Sequence, residues 1–194
     1  IIFGSFFWHK VIYGVSKNKY DFCEELISQN IPRIISSTLF APEYIMDLQN
    51  YKGVGLYQLK QKTKNKNKIL KSEDILISAG TGGNAIKIAE QFLRKLSDYN
   101  FFDNKLIFLD KNIFNSNNMI NMRKADFSEE MYRRISCAIV RPGIGTITDA
   151  LYNGVKIFCI FETNNFEMKS NFEKLFLAGL VNNCRNFDEI IISM

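Results

Sequence analysis

Histidine is almost missing from this chain. His9 is the only one, and a single imidazole excludes the clustered-histidine metal sites. Cysteine is sparse and scattered. Cys23, Cys137, Cys159 and Cys184 form no Cys-x-x-Cys pair, so neither zinc spacing nor a disulfide framework is present. Cys137 and Cys159 fall inside apolar, strand-like runs and read as small core residues of a reducing compartment. No apolar run approaches the about 20 residues needed to cross a bilayer. No charged stretch leads into an apolar one at the start, which argues against a signal peptide. The chain has no internal repeat, no Gly-Lys-Ser/Thr phosphate loop and no Gly-x-Gly-x-x-Gly spacing, which disfavours a nicotinamide enzyme.

What is present is ordinary in bulk: 194 residues, 46% hydrophobic and 23% charged, enough for one domain of medium size or one domain and part of another. Part of the net charge of +5 comes from a single run, which carries Lys60, Lys62, Lys64, Lys66, Lys68 and Lys71. Such a run could meet nucleic acid or an anionic membrane surface. Its lack of arginine and aromatic residues favours a solvated connector, with no nucleic-acid partner and at most a peripheral membrane contact through 60–71. The expected organisation is therefore an incomplete α/β domain over 1–60, a basic linker over 61–71 and a second domain over 72–194. The chain opens on Ile1, and its first sixty residues are expected to be the tail of a longer domain.

Before the lysines, Ile1 to Ser5 and Arg33 to Ser37 read as strands. Tyr20 to Gln29 reads as a helix stopped by Pro32, and Gly53-Val54-Gly55 as a turn. After them, strand and helix alternate. Asp74 to Ala79 is a buried strand, and Asn84 to Leu96 a helix with Ile86, Ala89, Phe92, Leu93 and Leu96 on one face. Lys105 to Leu109 is a strand, Asn112 to Asn118 a loop, and Met119 to Met122 a short strand. Ser128 is placed to cap a helix whose first turn carries Glu129 and Glu130. Cys137 to Val140 and Val155 to Phe161 complete the strands. Apolar strands joined by helices predict an α/β fold, a Rossmann-like open parallel sheet covered on both faces.

Two strands end alike. Gly80-Thr81-Gly82-Gly83-Asn84 follows one, Pro142-Gly143-Ile144-Gly145-Thr146 the other, and each opens a helix. Glycine lets a ligand approach the backbone, and a helix start offers free N–H groups that suit a phosphate. Packing alone also explains glycine in such turns. Asp149 lies one helical turn beyond Gly145, where a carboxylate could hold a ribose diol or simply complement the helix dipole.

The run from Arg141 to Asn171 (RPGIGTITDALYNGVKIFCIFETNNFEMKSN) resembles the donor-binding segment of GT-B glycosyltransferases. It is most similar to the branch that adds N-acetylglucosamine to lipid-linked peptidoglycan precursors. The glycine turn, the acid three residues after Thr146, Gly154-Val155-Lys156 opening the next strand, and the polar stretch from Glu162 to Asn171 carry that likeness. The resemblance implies diphosphate contacts at Gly80, Thr81, Gly82, Gly83, Asn84, Gly143, Ile144, Gly145 and Thr146. It implies ribose contact at Asp149, a base flanked by Phe127, and donor-sugar contacts at Asn165, Glu167 and Asn171. Asp149 stands where the family has a glutamate, Lys156 where it has proline, and the sugar loop diverges. The expected function is transfer of a sugar from a nucleotide-diphosphate donor, with UDP the carrier, to a glycan or lipid-linked acceptor. No cofactor or metal is expected, and the expected location is cytoplasmic, at the inner membrane face. Two alternatives share these residues: a UDP-sugar hydrolase or 2-epimerase, and a non-catalytic nucleotide-sugar-binding subunit. His9, in Phe7-Trp8-His9, reads as packing at a strand end rather than as a base, and no catalytic residue is assigned.

Overall fold

A computed structural model describes residues 2–4, 34–41, 46, 51–56, 72–80, 83–98, 105–115, 121–162, 164–182 and 187–194. The Tyr20–Gln29 helix, Trp8 and His9, the lysine run, Cys23, Cys184, Thr81, Gly82 and Thr163 lie outside these residues. The chain divides into two compact units, Ile1–Tyr57 and Gln58–Met194.

In the first unit, β1 (Ile2–Gly4), β2 (Ile34–Ser37) and β3 (Tyr51–Val54) form a parallel sheet in the order β1-β2-β3. Gly53 and Val54 are thus in a strand and not in the expected turn. A Cβ on Gly53 would meet the Thr38 methyl at 2.3 Å, and the Thr38 amide donates to the Val54 carbonyl at 2.9 Å. The glycine leaves room for the Thr38 side chain, a use that composition does not separate from turning.

The second unit alternates strand and helix throughout. β4 (Asp74–Ser78) leads to α1 (Gly83–Asp98), β5 (Ile107–Leu109) to α2 (Lys111–Phe114), and β6 (Met122–Lys124) to α3 (Glu129–Arg134). β7 (Ile135–Val140) leads to α4 (Ile144–Tyr152) and β8 (Lys156–Cys159) to α5 (Phe166–Leu177), and α6 (Phe187–Ser193) closes the chain. The five strands run parallel in the order β6-β5-β4-β7-β8, a Rossmann-like α/β sheet. Every residue of the central strand β4 is buried, which is why its centre, Ile75 to Ile77, is apolar without alternation, while Asp74 and Ser78 at its ends are hydrogen-bonded.

Ile75, Ile77, Ile139 and Phe158 join one core with Ala85, Ala89, Phe92, Leu93 and Leu96 of α1. Each such fully buried large side chain contributes about 2 kcal/mol. Leu76, Ala138 and Ile157, in register with one another, are buried on the opposite face, and α4 packs on β7 and β8. The residues from Asn112 to Phe114 are helical rather than loop, because Asp110 caps them, its side chain accepting from the Asn112 and Ile113 amides. β6, at Met122–Lys124, ends two residues beyond the expected Met119 to Met122, whose residues 119 and 120 lie outside those described.

The two edges of this sheet differ. On β6, Met122 is buried while Arg123 and Lys124 are exposed. Beside β8, both the amide and the side-chain nitrogen of Asn182 donate to the Ile157 carbonyl at 2.9 Å.

Candidate functional site

Strand order decides where the two glycine turns meet. From β4 the chain steps outward to β5 and β6, then returns to the other side of β4 as β7. The direction of winding reverses between β4 and β7, and ligands of such sheets bind at the carboxyl ends of the strands on either side of that reversal. Those two strands carry the glycine turns. Ser78 is paired with Val140, and the Arg141 amide donates to the Ser78 carbonyl at 3.0 Å.

The first turn is tied down by a residue with no part in the sequence expectations. Asp110, 5% exposed at the end of β5, accepts through Oδ2 from the Ser78 hydroxyl at 3.1 Å and from the Ala79 and Gly80 amides at 2.7 and 3.1 Å. Its Oδ1 accepts from the Asn112 and Ile113 amides at 3.0 and 3.1 Å. Asn112 completes the tie by donating from Nδ2 to the Gly80 carbonyl at 2.9 Å. Gly80 has φ 64°, a conformation costly for any residue with a Cβ. Gly83 and Asn84, at the start of α1, are exposed.

The second turn has no side-chain cap. Gly143 is the N-cap of α4 without a side-chain hydrogen bond, so the helix's first N–H groups receive nothing from it. Gly145 is exposed, with Ile144 and Thr146 half-buried. A Cβ added at Gly83 or Gly145 would meet nothing within 4 Å, so packing within the described protein does not require glycine there. Asp149 is half-buried one turn further on. On α3, Tyr132 is 1% exposed, and its hydroxyl has no partner among the described residues. Burial, then the charge of Asp149, push that hydroxyl's pKa above its ordinary value.

Phe127 precedes α3 at φ 55°, the one positive-φ residue other than glycine among those described, and is 39% exposed. A ring in that conformation is strained, and strain of this kind gathers at functional sites. Its neighbours fix it: Asp126 Oδ1 accepts from the Ser128 amide at 2.9 Å, and Ser128 caps α3 by accepting from the Met131 amide at 3.1 Å. The backbone bond from Ser128 is the main reason the Asp126 carboxyl sits below its ordinary pKa.

Past β8 lie the residues expected to meet a sugar. Asn165 is used as the N-cap of α5, accepting from the Met168 amide at 3.1 Å. Asn171 is 1% exposed and donates from Nδ2 to the Pro142 carbonyl at 3.2 Å, which makes its amide a strut beneath the second glycine turn. Glu167 is half-buried, and burial raises its pKa against the opposing pull of Arg141. Arg141 also faces Glu162, with Nη2 to Oε2 at 3.5 Å and side chains 20% and 9% exposed.

Asp110, Tyr132, Arg141 and Glu162 were therefore missed as site residues. Asp110 stood directly after an apolar strand and could have been read as a cap. Arg141 lay within the quoted motif as a lone charge at a strand end. Nothing in spacing marks Tyr132 or Glu162.

No protein-family model and no curated protein matches this chain. Solved structures do match in fold. One is a crystal structure of the glycotransferase of kitacinnamycin, with a TM-score of 0.55 and 12% identity, over 94% of this chain and 51% of that one. The chain thus spans about half the length of that structure. The likeness shows the fold, a Rossmann-like α/β architecture shared with a glycosyltransferase.

Among the described residues there is no cluster of three or more His, Cys, Asp or Glu side chains suited to a metal. None of the described helices is long and apolar enough to cross a membrane. A shallow cleft of about 250 Å³, lined by Glu73, Ile75, Lys105, Ser136, Cys137 and Met194, opens at the amino ends of the strands. Those are the ends away from both glycine turns, so the cleft is not part of this site. Cys137 is a buried core residue as expected, whereas Cys159 is half-buried, and burial pushes its thiol up to about 12.

Proposed function

We propose that this chain carries the donor-binding part of a glycosyltransferase that uses a nucleotide-diphosphate sugar, with UDP as the carrier. One observation carries the reading. Two glycine-led helix starts leave neighbouring parallel strands at the reversal of winding, one held by Asp110 and the other without a side-chain cap. Two helix N-termini converging on one crevice suit the two phosphates of a diphosphate. Their N–H groups meet the charge that develops on the leaving diphosphate as the sugar departs, and this electrostatic stabilisation needs no metal. Asp149 then holds the ribose hydroxyls and Phe127 flanks the base. Glu167 stands near the sugar, and the acceptor is a glycan or a lipid-linked glycan. The fold likeness to a glycosyltransferase and the resemblance of 141–171 to GT-B donor segments support the same reading from different directions.

The test is a thermal-shift titration with UDP, GDP, dTDP and CMP, for the wild type and Asp149→Ala. A ligand at a hundred times its Kd adds about 2.7 kcal/mol to stability, well within reach of the assay. A rise with UDP that is lost in the variant is the expected result. A wild-type melting temperature unmoved by all four nucleotides would sink the proposal.

A further inference from the structure

Three polar atoms at the carboxyl ends of β7 and β8 are buried without a hydrogen-bond partner among the described residues: Arg141 Nε, Glu162 Oε2 and Asn171 Oδ1. Buried polar groups are nearly always paired, so unpaired ones close together in the fold need an explanation. They belong to one neighbourhood. Val140 and Cys159 are in register, and the Ile160 amide donates to the Val140 carbonyl at 3.0 Å. Arg141 and Glu162 follow those residues on their two strands, and Asn171 is bonded to the residue beside Arg141.

The Arg141–Glu162 contact is itself loose. At 3.5 Å it is longer than the 2.7–2.9 Å typical of a charge-assisted hydrogen bond, so the charges attract while donor and acceptor stay unused. The unused set is one donor and two acceptors. A phosphate can only accept, and the Glu162 carboxylate would repel it. A cation would be repelled by the guanidinium. A hydroxyl group both donates and accepts, so a single sugar hydroxyl answers Glu162 or Asn171 on one side and Arg141 on the other.

We infer that Arg141 and Glu162 form a hydroxyl-reading pair for the donor sugar, backed by Asn171, with Glu162 opening the polar stretch that the family resemblance points to. This inference rests on the proposed donor site. It also accounts for a difference from the expected arrangement: Asn165 is engaged in capping α5, while Arg141 and Glu162 hold unused capacity at the edge of the same crevice. A site built to bond a hydroxyl discriminates strongly against a ligand lacking it, because its own buried groups are then left unpaired.

The experiment compares Kd values of UDP with those of UDP-glucose, UDP-galactose and UDP-N-acetylglucosamine, by calorimetry, for the wild type and Glu162→Gln. The expected result is that the wild type binds at least one UDP-sugar more tightly than UDP, and that Glu162→Gln weakens that sugar about tenfold while changing UDP less than twofold. An equal loss for UDP and UDP-sugar would mean that the pair only supports the glycine turn, and would overturn the inference. So would no loss for either, or a wild type that binds every UDP-sugar just as it binds UDP; an ordered water is then the partner of these atoms. A wild type that binds neither UDP nor any UDP-sugar would overturn the donor-site reading itself, and this inference with it. If Glu162→Gln melts too early to assay, wild-type protein and UDP-sugars lacking one hydroxyl at a time answer the same question. A tenfold loss for one deoxy sugar is expected, and no loss for any of them overturns the inference.

Discussion

Asp74 and Asp110 stand at opposite ends of the β4–β5 strand pair, both buried, both taking backbone N–H groups, yet in unlike company. At the amino end, Asp74 is 4% exposed and accepts from the Leu106 amide at 3.0 Å and from Arg134 Nε and Nη2 at 3.3 and 3.1 Å. Nearby, Ser72 donates to the Arg134 carbonyl at 2.8 Å, and Lys105 pairs with Glu73 at 3.0 Å. These named polar groups find partners at ordinary distances. At the carboxyl end, Asp110 is equally well bonded, but around it lie an uncapped helix start, a strained Phe127, the loose Arg141–Glu162 pair and an orphaned Asn171 oxygen. In the five-stranded sheet, the polar groups named at the amino end are paired, and several at the carboxyl end are not. Within the second unit, the unmet bonding capacity of Arg141, Glu162 and Asn171 and the backbone strain of Phe127 fall at the strand ends where the ligand is proposed to sit.

Removing each aspartate puts this contrast to its hardest test. Asp110→Ala deletes five accepted hydrogen bonds at once. Buried donors left without an acceptor lose about 1–3 kcal/mol each at most, and with relaxation the expected total is about 3–4 kcal/mol. UDP affinity should fall with it by at least tenfold, because Gly80 is no longer held. Asp74→Ala should lose about 2–3 kcal/mol in urea denaturation while leaving UDP affinity unchanged. Equal effects of the two variants on UDP binding would erase the distinction between the ends.

A smaller effect, of opposite sign for stability and binding, is expected at Phe127. Replacing it with glycine relieves the φ 55° strain and should raise stability by up to about 1 kcal/mol. The same change should weaken UDP about fivefold by removing an aromatic surface against the base. A variant that gains stability and keeps its affinity would show that the strain serves nothing at this site.

The smallest effect is a pH dependence. Burial raises the Glu167 pKa above 4.5, so the folded protein holds that proton more firmly than the unfolded chain does. The group therefore favours folding below about pH 4.5, and that contribution disappears as pH rises through the folded value. Glu167→Gln should melt higher than the wild type at pH 7, with the two curves converging below pH 4.5. A constant difference across that range would place the effect in packing instead.

Alternation of apolar strands and helices made the second unit's architecture readable from residues alone, since a strand buried on both faces, such as 74–78, carries an unbroken apolar run at its centre, Ile75 to Ile77. The Ser128 cap was legible for the same kind of reason, a local bond with a local signature. Gly53 was misread because turning and close passage demand the same residue, and only the neighbour at Thr38 separates them. The stretch after Asp110 was misread as a loop because its asparagines outweighed a single cap. In the site, the positions of the glycine turns were visible, but their adjacency depends on strand order. The commitments of Asn171, Arg141 and Glu162 depend on contacts across 20 to 30 residues of chain, which no short window of sequence contains.

The two edges of the five-stranded sheet bear on how such a protein keeps to itself. An open parallel sheet always ends in strands that could recruit a foreign strand and seed aggregates. Here one rim displays Arg123 and Lys124, whose like charges would repel a second copy laid against them. The other is covered at Ile157 by Asn182, which takes the carbonyl an incoming chain would need. A change such as Asn182→Val, remote from every proposed ligand contact, would then show itself as material lost to the pellet rather than as a weaker binder.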